Sequence, residues 1–230
     1  MALPKLLTIP LLRTTTTLPP RLSLKTAKCL SRPEKLALYS MASKTTVSDT
    51  IREDHRAIES AYTEVVYSSD QEHQTRYGNQ FTWELARHSI AEELIIYPAF
   101  EKYLGSEGKE MAEKDRGQHH RLKEHLKRFQ NMRSSDPDYI PQIQALYADL
   151  QQHIKEEEHD DLPALEKALV RDTENKGVSE TLAKTFERTK MFVPSRSHPS
   201  AGEKPAFESV MGLLSAPVDK LADMLRKFPK

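Results

Sequence analysis

The sequence predicts an all-α protein: an up-down-up-down four-helix bundle with a flexible N-terminal segment and a short helical C-terminal tail. Three observations predict it. Apolar residues recur at helical spacing through four long stretches between residues 48 and 172. The links between those stretches, SSDQEHQ, GSEGKE and RSSDPDY, are short and polar, which makes consecutive helices antiparallel neighbours. The later half of the region also repeats the earlier half.

The four helices are drawn in order. The first spans Ser48–Ser68, opened by Ser48 or Asp49 as its cap, with Ile51, His55, Ile58 and Tyr62 on one face. The second spans Arg76–Leu104 and stops near Gly105, with Phe81, Leu85, His88, Glu92, Ile96 and Ala99 in one stripe. The third, Lys109–Met132, aligns His119, Leu122, Leu126 and Phe129. The fourth, Ile140–Val170, aligns Leu146, Leu150, His153, Glu157 and Ala164. Pro98 and Pro163 each remove a helix hydrogen bond and are expected to kink the second and fourth helices at equal depth.

Flanking segments differ in composition. Residues 1–47 carry eight Lys and Arg against one acid, Glu34, with abundant Thr and Ser, the composition of a mitochondrial transit peptide. The competing reading is an untargeted disordered tail, because prolines are frequent. A start at Met41 would leave a cytoplasmic form. Residues 173–230 form an extended and helical tail: a helix continuing to about Met191, a proline-rich linker, and a terminal amphipathic helix with Val218, Leu221 and Leu225 on one face.

Composition narrows the chemistry. Lys+Arg and Asp+Glu each number 34 of 230 residues, and a net charge of zero argues against a nucleic-acid partner. No stretch approaches the ~18 apolar residues of a membrane helix. The single cysteine, Cys29, excludes disulfide scaffolds, zinc ribbons and thiolate iron–sulfur sites within one chain. A metal would have to be held by nitrogen and oxygen, and nine histidines are available.

The repeat shows where. HSIAEELIIYPAFEKYL (His88–Leu104) and HIKEEEHDDLPALEKAL (His153–Leu169) align at an offset of 65, matching His88 with His153, Glu92 with Glu157 and Glu93 with Glu158. The first and third helices align at 64, matching His55 with His119. In His-x-x-x-Glu the two side chains stand one above the other on a helix face and can reach the same metal. Four histidines and two glutamates thus point into one apolar interior, where a carboxylate needs a partner or a metal. Six such residues in two related hairpins suit a pair of metal ions, and carboxylates with imidazoles suit iron or manganese ahead of zinc or copper. His120 and His125 lack a convergent third ligand and are assigned to solvent. The run Glu156, Glu158, His159, Asp160 and Asp161 is assigned to a solvated acidic face.

These motifs resemble a known family. The pair Asp54–His55, HSIAEE with a following YP, the pair Gln118–His119, and HIKEEE with a following LP are similar to the hemerythrin-like, or HHE cation-binding, domain over about residues 48–172. The tail, with FVPSRSHPSAGEKP and APVDKLADMLRKFP, resembles the C-terminal extension of fungal members. The resemblance implies a four-helix bundle around a non-haem di-iron centre, with two iron ions ranked ahead of manganese or zinc. It implies His55, His88, Glu92, His119, His153 and Glu157 as metal ligands, Glu92 and Glu157 as bridges, and Glu93 and Glu158 as substitutes. It implies reaction with O2, NO or peroxide, in iron handling or in redox or oxygen sensing under stress. Oxygen-carrying members have a further histidine four residues after the third-helix histidine; that position is Lys123, which argues against oxygen carriage. Two other functions stay open: a di-iron peroxidase- or oxidase-like enzyme, and a structural metal bundle that docks partners through its tail.

Overall fold

In a computed structural model, residues 45–171, 173–198 and 215–230 are described. The transit-like segment, with Cys29 and Met41, and residues 199–214 of the tail lie outside the described residues.

The described chain is helical, and no strand occurs among the described residues. Helix α1 (Val47–Tyr67) begins one residue earlier than expected, and its cap is Thr46 in place of Ser48 or Asp49. Its hydroxyl accepts from the Asp49 amide while the Asp49 carboxylate accepts from the Thr46 amide, a reciprocal capping box. Helix α2 (Gln71–Ala91) starts five residues before the expected Arg76, because Asp70 caps it through the Glu72 amide at 2.8 Å. The α1–α2 pair is antiparallel: Glu64 meets His73 near one end, and Asp54 meets His88 further along.

The prolines act differently from simple kinks. A π-helical turn, Glu92–Ile96, follows α2, and a second, Glu157–Asp161, follows α4 (Tyr139–Glu156). In each the ladder widens by one residue, the Tyr97 amide reaching the Glu92 carbonyl and the Leu162 amide the Glu157 carbonyl. Proline one residue later has no N–H to give and would crowd the carbonyl four back, so a widened turn resolves both faults. Helix resumes as α3 (Tyr97–Phe129) and α5 (Leu162–Arg171).

Helix α3 contains a reversal at Gly105, whose φ of 64° and ψ of −129° are open to glycine and strained for other residues. Glu101 then meets Arg116, and Tyr97 meets His119, so the two arms run antiparallel. The later arm pairs with α4 in the same sense: Gln118 meets Glu156 and the His125 carbonyl meets Gln142.

The metal-type residues lie between two apolar lobes. One is built on Ile58, Phe81, Leu85, Leu126, Phe129, Ile143 and Leu146. The other is built on Ile51, Ile96, Tyr97, Phe100, Leu162, Leu165 and Phe186. Phe186 comes from α6 (Val178–Lys190), which is not a continuation of the preceding helix: a 3₁₀ turn (Thr173–Asn175) and Gly177, at φ 83°, break the chain first. Helix α6 is tied to the start of α1, Ser179 accepting from the Val47 amide at 2.9 Å.

The terminal helix α7 (Ala216–Asp223) turns its apolar face outward. Val218 and Leu221 are 67% exposed and Leu225 is 89% exposed. The inward side is polar: Asp219 pairs with His198, Asp223 with Ser195, and the carbonyls of Lys227 and Phe228 accept from Asn79 and Arg76. Among the described residues no helix is long and apolar enough to cross a membrane.

Candidate metal centre

Helical spacing aligns the donors within each helix, and the two hairpins bring the helices together. His88 stands four residues before Glu92, and His153 four before Glu157; His55 and His119 face them from α1 and α3. All six are at most 1% exposed. They form two clusters. Donor atoms of His55, His88 and Glu92 lie within 4.8 Å of one another, and so do those of Glu92, His119 and His153. Glu92 belongs to both, its Oε1 3.1 Å from His88 Nε2 and its Oε2 3.3 Å from His119 Nε2. Glu157 closes the other side, with Oε2 3.3 Å from His55 Nε2.

Each histidine is aimed by what its other nitrogen holds. The Nδ1 atoms face outward: His55 to Glu158 at 2.8 Å, His88 to Asp54 at 3.3 Å, His119 to Glu93 at 3.3 Å, and His153 to the side-chain amide oxygen of Gln118 at 2.7 Å. These acceptors are anchored in turn. Arg56 donates to Glu158 at 2.8 Å, Lys190 to Asp54 at 2.5 and 2.7 Å, and Lys123 to Glu93 at 2.7 Å. Gln118 donates to Glu156, which pairs with Lys114. The pattern follows the internal repeat. The residue before the α1 or α3 histidine serves the histidine on the following helix, and the residue after each bridging-type glutamate serves the helix opposite. Outward Nδ1–H donation fixes the tautomer and leaves the Nε2 lone pair inward.

That inward geometry fits a cation. Nε2 of His55 and His88 are 3.1 Å apart, and those of His119 and His153 are 3.0 Å apart. Two lone pairs at that distance repel unless a proton or a metal lies between them. Neither oxygen of Glu92 or of Glu157 receives a well-formed hydrogen bond, although both residues are fully buried. Buried carboxylates in this condition belong with paired charges or metals. Imidazole and carboxylate without thiolate is a donor set for a first-row transition metal.

The electrostatics among these groups say the same. Burial opposes charge on His88, but the carboxylates of Glu92 and Asp54 prevail and push it up to about 10. His119 rises to about 9 against the same burial, through Glu92 and Glu93. His153 is driven down by burial and then by the charge of His119. Burial and the charge of Glu92 raise Glu157 to about 7. Burial resists ionising Glu93 as well, yet His119 and Lys123 hold it down at about 2. Protons occupy positions that a metal would take.

Several residues around the centre carried no sequence-based role. Lys190 and Phe186 reach it from α6, Phe186 presenting its ring edge-on to His88 at 5.9 Å. The Tyr97 hydroxyl, fully buried, lies 3.0 Å from His119 Nε2. Glu93 and Glu158, expected as substitute ligands, are turned outward onto Nδ1 atoms, and Lys123 is committed to Glu93. His120 is half exposed beside Glu124, and His125 is partly buried away from the centre. The acidic run is split: His159 and Asp160 are exposed, but Asp161, four residues after Glu157 on the same face, is 3% exposed. Asp115, four residues before His119, is fully buried with both oxygens unpartnered among the described residues. Burial, and then the charges of Glu157 and Asp161, push its carboxyl up to about 8.

Comparison with known proteins agrees with this geometry. Residues 46–165 match the model of the hemerythrin HHE cation-binding domain. An uncharacterized hemerythrin-like protein of Schizosaccharomyces pombe is 51% identical over 197 residues, covering 86% of this chain and 93% of that protein. A DNA nickase of Nostoc is 26% identical over 112 residues, covering 49% of this chain and 31% of that protein. No solved structure matches significantly. With the matching domain spanning over half the chain and a close relative over most of it, the chain belongs to the hemerythrin HHE cation-binding family.

Proposed function

We propose that this protein holds two iron ions between its helical hairpins and reacts there with a small ligand, dioxygen, nitric oxide or peroxide, in iron handling or in redox or oxygen sensing. The observation that carries the reading is the pair of three-donor clusters joined at Glu92, each oxygen facing a different histidine. His55 and His88 would hold one ion, His119 and His153 the other, with Glu92 and Glu157 between them. Six protein ligands on two metals leave positions open for a small ligand. Iron, when bound, supplies a redox-active centre; the chain supplies orientation, through the outward Nδ1 bonds, and a dry interior. Bulk oxygen carriage is disfavoured, because Lys123 stands at the position of the further histidine and its ammonium is spent on Glu93.

A second reading, peroxide or oxygen turnover, is favoured by one feature, the buried Tyr97 hydroxyl beside His119. A tyrosine there is placed to exchange a proton or an electron with the centre. The basic, hydroxyl-rich segment 1–47 supports a mitochondrial site of action.

The test is metal content of protein purified without chelator, with optical spectra before and after air. About two irons per chain, and a near-ultraviolet band that responds to air, support the di-iron reading; another metal, or none, overturns it. Steady consumption of peroxide with a reductant, abolished by Tyr97→Phe, would select the enzymatic reading.

A further inference from the structure

We propose that Asp161 and Asp115 form a route by which a divalent cation passes from the protein surface to the metal centre, entering between α4 and the later arm of α3. The inference rests on the metal-binding function proposed above.

The argument begins with a break in symmetry. At the repeat's offsets, Asp115 corresponds to Ile51 and Asp161 to Ile96. Ile51 and Ile96 are both fully buried in an apolar lobe. The same layer is therefore aliphatic in one hairpin and acidic in the other. Packing does not demand the acids, since the fold itself contains the apolar solution. They are costly as well: a buried polar group without a partner bears its full desolvation penalty. Among the described residues Asp115 has no hydrogen-bond partner for either oxygen, and Asp161 has none for Oδ2.

Their placement is directional. Asp115 is one helical turn, about 5.4 Å, before His119, and Asp161 one turn after Glu157. Because the later arm of α3 and α4 are antiparallel, those two turns lie at the same end of the centre. The charges acting on Asp115 are those of the centre, Glu157, His119 and Glu92, and that of Asp161. Those acting on Asp161 are outside, Lys114, Asp160 and Glu156. Asp160 is exposed, and Lys114 is neutralised by Glu156 at 2.7 Å. Acidic groups thus step inward from Asp160 through Asp161 and Asp115 to Glu157. Neither Asp115 nor Asp161 belongs to the two donor clusters, so both are placed to pass a cation on.

The test is the rate at which the full metal-free chain takes up Fe2+, followed by anaerobic stopped-flow, with final metal content measured on the same samples. Asp115→Asn and Asp161→Asn are expected to slow uptake about tenfold, the lower range of electrostatic steering, with unchanged final content. The paired change Asp115→Ile with Asp161→Ile rebuilds the layer found in the other hairpin and serves where an asparagine variant folds poorly. Its uptake should also lose most of the native rate's dependence on ionic strength. Unchanged rates would overturn the route. Lower final content in Asp115→Asn would overturn it differently, by making Asp115 a ligand. A native chain that takes up no metal would fail the underlying function, a result distinguishable from either.

Discussion

The ammonium of Lys123 lies 2.7 Å from Oε1 and 2.8 Å from Oε2 of Glu93, a closed ion pair between α3 and the π turn behind α2. Glu93 in turn accepts from Nδ1 of His119. The residue standing where oxygen carriers have a further histidine is therefore a support for the histidine that remains. Removing one partner of a buried pair leaves the other charge uncompensated, at a cost of about 3–5 kcal/mol. Lys123→Met is expected to destabilise the metal-free protein by that order in urea denaturation. Lys123→His is expected to bond to Glu93 and to add no oxygen-adduct band; a new visible band on aeration would show that position 123 can reach the metal.

Much of this centre was readable in the residue order, for a definite reason. Spacing by four puts His88 over Glu92 and His153 over Glu157 whatever else the chain does, and the repeat ties the two hairpins to matching depth. Gly105 likewise announces the reversal it makes. What was not readable depends on partners distant in sequence or on backbone accounting. Pro98 and Pro163 signal a broken ladder, but only the carbonyls they leave decide between a kink and a π turn. Lys190 and Phe186 belong to a helix that shares no motif with the centre, and only packing brings them to Asp54 and His88. Asp161 was hidden in a run of exposed acids. The apolar residues of α7 point outward because its acids, Asp219 and Asp223, are held by His198 and Ser195, a preference that amphipathic spacing alone does not disclose.

Truncating one ligand tests the pairing of the clusters. His153 belongs to the cluster with Glu92 and His119 and is absent from the other. His153→Ala is expected to lose one metal equivalent and to keep the ion at His55 and His88. Elemental analysis checks it. Unchanged content would remove His153 from the ligand set, and loss of both ions would show that the two positions fill only together.

The outward bonds predict a graded series. Asp54 holds His88 with a carboxylate anchored by Lys190, whereas Gln118 holds His153 with a neutral amide. Loss of such a partner costs about 10–100-fold in metal affinity. Asp54→Ala is expected at the upper end of that range and Gln118→Ala at the lower. Competition against a chromophoric chelator measures both. Equal losses would mean that the carboxylate contributes orientation and no added basicity.

In the proposed centre, metal and protons compete for the same nitrogens. With His88 raised to about 10 and His119 to about 9, the metal-free centre carries protons at pH 7 that a metal must displace. Binding at pH 7 is expected to release about two protons, and apparent affinity to rise with pH until those groups are deprotonated. Calorimetric titration in buffers of different ionisation enthalpy reads the number directly. Binding without proton release would place the metal away from His88 and His119.

Asp115 predicts a conflict between stability and metal uptake. Its carboxyl, ordinarily at 3.8, stands at about 8 in the folded chain because burial, and then Glu157 and Asp161, disfavour its charge. Between those values the folded state binds the proton that the unfolded state has released. The contribution of Asp115 to the stability of the metal-free protein must therefore fall as pH rises from about 4 to about 8, and level off above. Asp115→Asn removes the ionisation while keeping the shape. It is expected to stabilise the metal-free protein at pH 8 by about 1–3 kcal/mol, or about 2–10 °C in Tm for a chain of this size. At pH 4 the gain should vanish, because the native carboxyl is already protonated. Thermal melts of both proteins across that range decide it. A gain independent of pH would assign the effect to packing, and a loss would mean that Asp115 has a partner when the chain is folded in solution.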